Sequence, residues 1–326
     1  MAMTRVRIGV VGVGHMGQYH ANILAGLDGV DFVGVYDASR ERAHEISARL
    51  GVKAWDDLDR LFSKVDAVCV AVPTNLHYKI ASRALVAGVH VLVEKPMTRT
   101  VRYAERLVAL AKEKRLILQT GHVERFNGAI RQIGNIIHEP KLVEARRLAP
   151  WTPRIKDVGV VLDLMVHDVD IVLGMIQSPV IAVDAVGTSV FSPYEDAATA
   201  ILQFENGCVA NLTASRITND KIRTLSISQK DAYIFLDYNR QGIDIYRRLS
   251  QDYSLKQEEI RYTVETTVER VVVHSVNPLQ QELMHFCDCV RGTATPLVSG
   301  ESDVNTLRLT RKILECINRH LLQDGE

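Results

Sequence analysis

Val6-Arg7-Ile8-Gly9-Val10-Val11-Gly12-Val13-Gly14-His15-Met16-Gly17 is the stretch that decides the fold. Val6 to Val11 is a short β-rich run, and a helical pattern follows the glycines through Leu24. A second apolar run, Phe32 to Tyr36, ends at Asp37, twenty residues beyond Gly17. Strand, G-x-G-x-x-G, helix, strand and acid in this order form the dinucleotide fingerprint. Gly12 permits the tight turn, Gly14 lets a diphosphate approach the backbone, and Gly17 lets the helix pack on the strand. His15 and Met16 fill the variable positions of that turn. The positive helix N-terminus receives the diphosphate. A carboxylate at Asp37 accepts the adenosine ribose diol and repels a 2′-phosphate, which favours NAD over NADP. Arg40, three residues later, either covers the adenine and pairs with a phosphate or stays solvated.

The strand–helix alternation continues. Ala67 to Val72 is an apolar strand ending at Pro73-Thr74-Asn75, and a helix runs from about His77 to Ala87. Strand Val89 to Val93 ends at Glu94-Lys95-Pro96; a helix from Val101 to Glu113 and a strand from Leu116 to Thr120 follow. Apolar strands alternating with amphipathic helices predict a doubly wound parallel sheet. Ligands of such sheets sit beyond the carboxyl ends of the strands. That assigns Pro73, Thr74, Asn75, His77, Glu94 and Lys95 to the cofactor-binding set. Lys95, at a strand end, is also a candidate catalytic cation.

Composition narrows the class. The 326 residues are 47% apolar and 24% charged, with 39 basic and 39 acidic side chains, so the formal charge is zero. This size suggests two domains. The balance argues against a nucleic-acid partner, and no apolar run is long enough for a membrane span. Five scattered cysteines fit neither a disulfide framework nor a metal cluster. They read as free thiols in a reducing, cytoplasmic compartment, with no signal-like segment ahead of Val6.

From Asp157 to Leu173 the sequence predicts one helix that is apolar on most faces. Asp163, His167 and Asp170, spaced four and three apart, form a stripe on it, with Asp168 to one side. Unpartnered burial of such groups costs several kcal/mol, so the stripe either bonds to a neighbouring loop or lines a cleft. Imidazole has a suitable pKa for removing a hydroxyl proton during hydride transfer. His167 is the candidate base, Lys95 the cation for a developing alkoxide, and Asp163 the group that orients His167 or a second hydroxyl.

Beyond about residue 121 strand-like runs succeed each other: Val180 to Val190, Ala198 to Phe204, Cys208 to Ser215, Ile222 to Ser228, Ala232 to Leu236 and Ile243 to Tyr246. Asn206-Gly207 signals a hairpin of the primed-turn type, and Asn239 to Gly242 another turn. Helices from about Leu279 to Arg291 and Ser302 to Leu322 close the chain. The predicted division is a dinucleotide-binding domain over 1–121 and an α+β substrate and oligomerisation domain over 122–326, the last helix being available to pack back on the first.

These motifs together resemble the glucose–fructose oxidoreductase, inositol dehydrogenase and MocA (Gfo/Idh/MocA) family. The resemblance is carried by Gly12 to Gly17, Pro73-Thr74-Asn75-Leu76-His77, Glu94-Lys95-Pro96, Gly121-His122, Arg125-Phe126-Asn127 and Asp163-x-x-x-His167-Asp168. It extends to Asn277-Pro278-Leu279, Glu282, Phe286, Pro296 and Gly300. One departure is Gly128, where the family often has proline. The resemblance implies a Rossmann domain, then an α+β domain with a large, mainly antiparallel sheet whose free face makes homodimers or homotetramers. It implies NAD(P), a catalytic lysine at Lys95, a catalytic histidine at His167 and a substrate-orienting aspartate at Asp163. It also implies a dehydrogenase acting on a ring hydroxyl of a sugar or cyclitol. Within the family the chain is most similar to members that oxidise the 3-hydroxyl of UDP-linked N-acetylglucosamine. Arg125, Asn127 and Arg154 join Asp163 and His167 as candidate substrate residues, and Arg125, Arg146, Arg147, Arg154 and Lys156 form a basic group suited to a diphosphate. The alternatives are a myo-inositol or free-sugar dehydrogenase and a non-catalytic dinucleotide-binding regulator.

Overall fold

A computed structural model describes residues 5–152, 158–248 and 266–323. The chain forms two compact units, Met1–Phe126 with Val276–Arg308, and Asn127–Ser275 with Leu309–Glu326.

In the first unit, β1 (Val6–Val11), β2 (Val30–Tyr36), β3 (Lys53–Trp55), β4 (Ala67–Val70), β5 (His90–Glu94) and β6 (Leu118–Gly121) form one parallel sheet in the order β3-β2-β1-β4-β5-β6. Strand order reverses between β1 and β4, the switch point where doubly wound sheets bind ligands. Ile8, Val10, Val68, Val91 and Val93 are fully buried, as strands covered on both faces require. The connecting helices are α1 (His15–Leu24), α2 (Arg40–Leu50), α3 (Leu58–Phe62), α4 (Thr74–Val86) and α5 (Val101–Lys114). α2, β3 and the short helix α3 lie outside the elements expected from the sequence.

In the second unit, α6 (Gly128–Ile133) leads to β7 (Leu142–Leu148), and α7 (Val166–Met175) leads to β8 (Val180–Thr188). Then come β9 (Ala197–Phe204), β10 (Val209–Ser215), β11 (Ile222–Ser228), β12 (Ala232–Asp237), β13 (Gly242–Arg248) and β14 (Thr266–Val271). These eight strands lie in the order β14-β13-β12-β11-β7-β10-β9-β8. Every pairing is antiparallel except β7 with β10. Alternate residues point into the core: Ala198, Ala200 and Leu202 from β9, Ala210 and Leu212 from β10, and Ile234 and Leu236 from β12. They pack with Val169 and Val172 of α7 and with Ile313 and Ile317.

Two further helices are α8 (Pro278–Arg291) and α9 (Gly300–Gln323). Asn277 caps α8, accepting from the N–H groups of Leu279 and Gln280. Leu283, Phe286 and Cys287 of α8 are buried with Val6, Ile8 and Leu24, so this late helix completes the core of the first unit. Among the described residues no helix is long and apolar enough to cross a membrane.

Two local expectations need correction. Between β9 and β10 only Gly207 has positive φ (81°), and its N–H donates to the Phe204 carbonyl at 2.9 Å. The hairpin is therefore an ordinary turn closed by a left-handed glycine, not a primed turn, which needs positive φ earlier in the turn. The helix expected from Asp157 is also not continuous: Val161–Met165 is a π-helical turn, and α-helix begins only at Val166.

Candidate active site

At the switch point the first unit presents two helix starts of unusual kind. α2, α3 and α5 are each capped by a side chain, from Ser39, Asp57 and Thr100. α1 and α4 begin after Gly14 and Pro73 with no side-chain cap and no acidic residue in the first turn. No side chain caps their leading N–H groups, although in α4 the Leu76 N–H donates back to the Pro73 carbonyl at 2.8 Å. The glycines explain the shape. Gly12 has φ of 87°, and a Cβ there would lie 2.7 Å from the Ala71 carbonyl oxygen. A Cβ on Gly17 would lie 1.8 Å from the Gly12 carbonyl oxygen, whereas one on Gly14 would meet nothing within 4 Å. The open side is thus at Gly14, where a diphosphate would approach. His15 is exposed, its ring edge-on to Tyr19, and Met16 is half-buried. Thr74 is half-buried and Asn75 exposed at the start of α4.

Asp37 follows β2. Its Oδ2 accepts from the Val13 N–H and its Oδ1 from the Ser39 N–H, both at 2.8 Å, so the carboxylate is fixed against the glycine turn. Arg42, not Arg40, approaches it, at 3.5 Å; Arg40 is exposed at the start of α2. An uncapped helix start, an open Gly14 and a held carboxylate fit a dinucleotide.

Glu94 ends β5, and His20 of α1 donates to it from Nε2 at 2.7 Å, with the imidazole buried. Burial pushes the Glu94 carboxyl upward, but the His20 hydrogen bond and the nearby charges of His20, Lys95 and His77 outweigh it and hold the pKa below its ordinary value. Lys95 is half-buried and its bond to Pro96 is cis. His77 is buried between two carbonyl oxygens, Pro96 at 2.9 Å from Nδ1 and Val72 at 2.8 Å from Nε2. Burial lowers its pKa against the pull of those oxygens. The ring ties the loop after β4 to the turn that carries Lys95. His122 Nε2 and Asp303 Oδ1, both buried, lie 2.6 Å apart. Arg125 is half-buried in the 3-10 turn Val123–Phe126.

In the second unit Asp163 lies in the π-helical turn and His167 in the first turn of α7, both half-buried, whereas Asp168 and Asp170 are buried. Such single π turns recur at functional sites. Asp168 binds the Arg147 guanidinium of β7 through two hydrogen bonds of 3.0 and 2.8 Å. Arg147 is 1% exposed, so it leaves the basic group read as suited to a diphosphate. Arg146, its neighbour on β7, is exposed. Asn127 caps α6 through Oδ1 and donates to the Tyr238 carbonyl at 3.1 Å, which engages its side chain with backbone. Arg154 and Lys156 lie outside the described residues.

The start of the Asp163 segment is braced by Glu195 and Arg216, for which the sequence carries no local signal. Glu195 accepts from the Val161 N–H at 3.1 Å and packs against Gly159, where a Cβ would come within 1.9 to 2.2 Å of the carboxylate. Burial raises its pKa. Its neighbour Asp196 is buried, and although burial pushes its carboxyl upward, the N–H groups of Val190 and Phe191, the Arg216 guanidinium and the Ser192 hydroxyl hold it well below the usual range. Arg216 in turn donates to the Val158 carbonyl at 2.8 Å.

The fold and the fingerprint define a dinucleotide-binding oxidoreductase. Residues 6–122 match the family model described as an oxidoreductase family with an NAD-binding Rossmann fold, and 127–234 match the GFO/IDH/MocA C-terminal domain. The chain belongs to the Gfo/Idh/MocA family. It is 36% identical over 297 residues to UDP-N-acetylglucosamine 3-dehydrogenase of Acidithiobacillus ferrooxidans, covering 89% of this chain and 94% of that protein. It is 25% identical over 317 residues to scyllo-inositol 2-dehydrogenase (NAD(+)) of Bacillus subtilis, covering 90% and 89%. A solved structure of the Acidithiobacillus enzyme superposes with a TM-score of 0.89 at 32% identity, covering 97% of this chain and 98% of that one.

Proposed function

We propose that this dehydrogenase oxidises a ring secondary hydroxyl of a nucleotide-linked amino sugar of the UDP-N-acetylglucosamine type to a ketone. The observation that carries the reading is the likeness to a UDP-N-acetylglucosamine 3-dehydrogenase over nearly its whole length, in a chain that has Lys95, Asp163 and His167. The alternatives are not favoured: the inositol dehydrogenase matches at lower identity, and a pure sensor has no use for a catalytic lysine and imidazole.

NAD supplies the hydride acceptor when bound. The uncapped start of α1 would hold its diphosphate, and the Asp37 carboxylate would accept from the adenosine ribose diol, a contact that favours NAD over NADP. His167 takes the hydroxyl proton as the C–H bond gives up its hydride and the C–O bond becomes a carbonyl. The Lys95 ammonium stabilises the developing alkoxide, and Asp163 orients the imidazole or a neighbouring hydroxyl. Five buried free cysteines support a reducing, cytoplasmic setting. The exposed sheet residues Leu142, Ile201, Tyr233 and Val268 support assembly into dimers or tetramers through that face, which light scattering tests.

The experiment is a substrate panel with NAD, followed by absorbance of the reduced cofactor. Reduction with UDP-N-acetylglucosamine but not with myo-inositol is expected; the reverse pattern overturns the reading.

A further inference from the structure

The loop between β8 and β9 displays aromatic side chains on a buried ionic anchor. Phe191 and Tyr194 are 55% and 41% exposed. Beneath them Asp196 is 0% exposed. Its Oδ2 accepts from three successive N–H groups, of Val190 at 2.7 Å, Phe191 at 2.6 Å and Ser192 at 3.0 Å. Its Oδ1 accepts from the Ser192 hydroxyl at 2.9 Å and from Arg216 Nε at 2.7 Å. Trp151, just past β7, is held from two sides. The Arg216 guanidinium lies 4.9 Å from its ring centroid. The Phe191 ring lies 5.2 Å away, tilted by 45°.

The same network reaches the residues proposed for chemistry. Arg216 binds the Val158 carbonyl, and Glu195 holds the Val161 N–H, two residues before Asp163. An exposed Phe on a surface loop is ordinarily mobile. Here charge-assisted bonds to a fully buried carboxylate order the loop in advance, so a ligand meeting it does not bear that ordering cost.

We propose that Phe191, backed by Trp151, is the stacking platform for the nucleobase of a nucleoside-diphosphate sugar. This rests on the nucleotide-sugar reading above. A flat, rigid aromatic face suits a planar base, for which one stacked ring contributes about 1–3 kcal/mol. Tyr194, exposed in the same loop, adds a second ring with a hydroxyl for the base edge.

The chain has two tryptophans, so Trp55→Phe leaves Trp151 as the only reporter. UDP added without NAD is expected to change Trp151 emission saturably. Phe191→Ala is expected to weaken UDP binding by about 5- to 150-fold and to raise the sugar-nucleotide KM by a similar factor with kcat little changed. Phe191→Tyr, which keeps the ring, is expected to restore both. Unchanged UDP affinity in Phe191→Ala with wild-type circular dichroism overturns the platform. So does conversion of an oligomer to monomer by that substitution, which would make Phe191 a contact between copies. Turnover of UDP-N-acetylglucosamine with no UDP response at Trp151 removes the platform and leaves the proposed reaction standing. Absence of both removes both.

Discussion

His20 Nε2 lies 2.7 Å from Glu94 Oε1, joining α1, the helix that follows the glycine turn, to the residue before Lys95. His20 is buried and the Glu94 side chain is 12% exposed, so removing the imidazole takes a donor from a largely enclosed carboxylate. His20→Ala is expected to cost about 1.5–3 kcal/mol in urea unfolding, the range for a hydrogen bond to a charged group. A loss below about 0.5 kcal/mol would contradict a structural role for this hydrogen bond.

The same pair carries a pH signature. Glu94 has its folded pKa below the unfolded value of about 4.3. Its contribution to stability is full above that unfolded value and is lost as pH falls through the folded one. Urea unfolding below about pH 4.3 is expected to show a steeper loss in the wild type than in Glu94→Gln. Parallel slopes would remove Glu94 as an acid-sensitive element.

Asp37 is held by the Val13 and Ser39 N–H groups, with Arg42 at 3.5 Å. Asp37→Ser removes a charge that would repel a 2′-phosphate at this position and leaves Arg42 without that carboxylate. The ratio of kcat/KM with NADP to that with NAD is expected to rise by about tenfold or more, the equivalent of about 1.4 kcal/mol. Adding Arg42→Ala should reverse part of the gain; an unchanged ratio would show that Asp37 does not select the cofactor.

Lys95→Ala and His167→Ala are each expected to lower kcat by about 10²- to 10⁴-fold. NAD affinity, measured by calorimetry, should stay close to wild type in His167→Ala. Near-normal turnover in either variant sinks the role given to that residue.

Gly159 faces the Glu195 carboxylate at a distance no Cβ tolerates. Gly159→Ala is expected to destabilise the chain by about 1–3 kcal/mol through overpacking and to lower activity by displacing the Asp163 segment. Pairing it with Glu195→Gly should recover part of the stability. Additive losses would show that the two positions do not collide.

What was legible in the sequence follows from where its signals are local. The glycine fingerprint, Asp37 and the apolar parallel strands announce themselves because turn chemistry and double-sided burial act over a few residues. The inner strand β7 does not: Leu-Val-Glu-Ala-Arg-Arg-Leu reads as charged, since Arg147 points into the core toward Asp168, two elements away. Burial, also set by distant chain, divides the Asp163–His167–Asp170 stripe, which spacing alone presents as uniform: Asp170 is buried while Asp163 and His167 are half-buried. His20, Glu195 and Asp196 carry no sequence signal for a related reason. Each is an ordinary polar residue in its local context and gains its role only from a partner brought near by folding. The π turn was invisible because its apolar residues satisfy a helical period equally well.

The return of the chain to its first unit has a consequence for synthesis. Domains usually fold as they emerge, the N-terminal one first. Here Val6, Ile8 and Leu24 wait for Leu283 and Phe286, and His122 waits for Asp303. Residues 127–275 must leave the ribosome before those partners arrive. The nascent nucleotide-binding sheet therefore spends much of translation with one apolar flank uncovered, the state in which chaperones bind and early termination is most damaging.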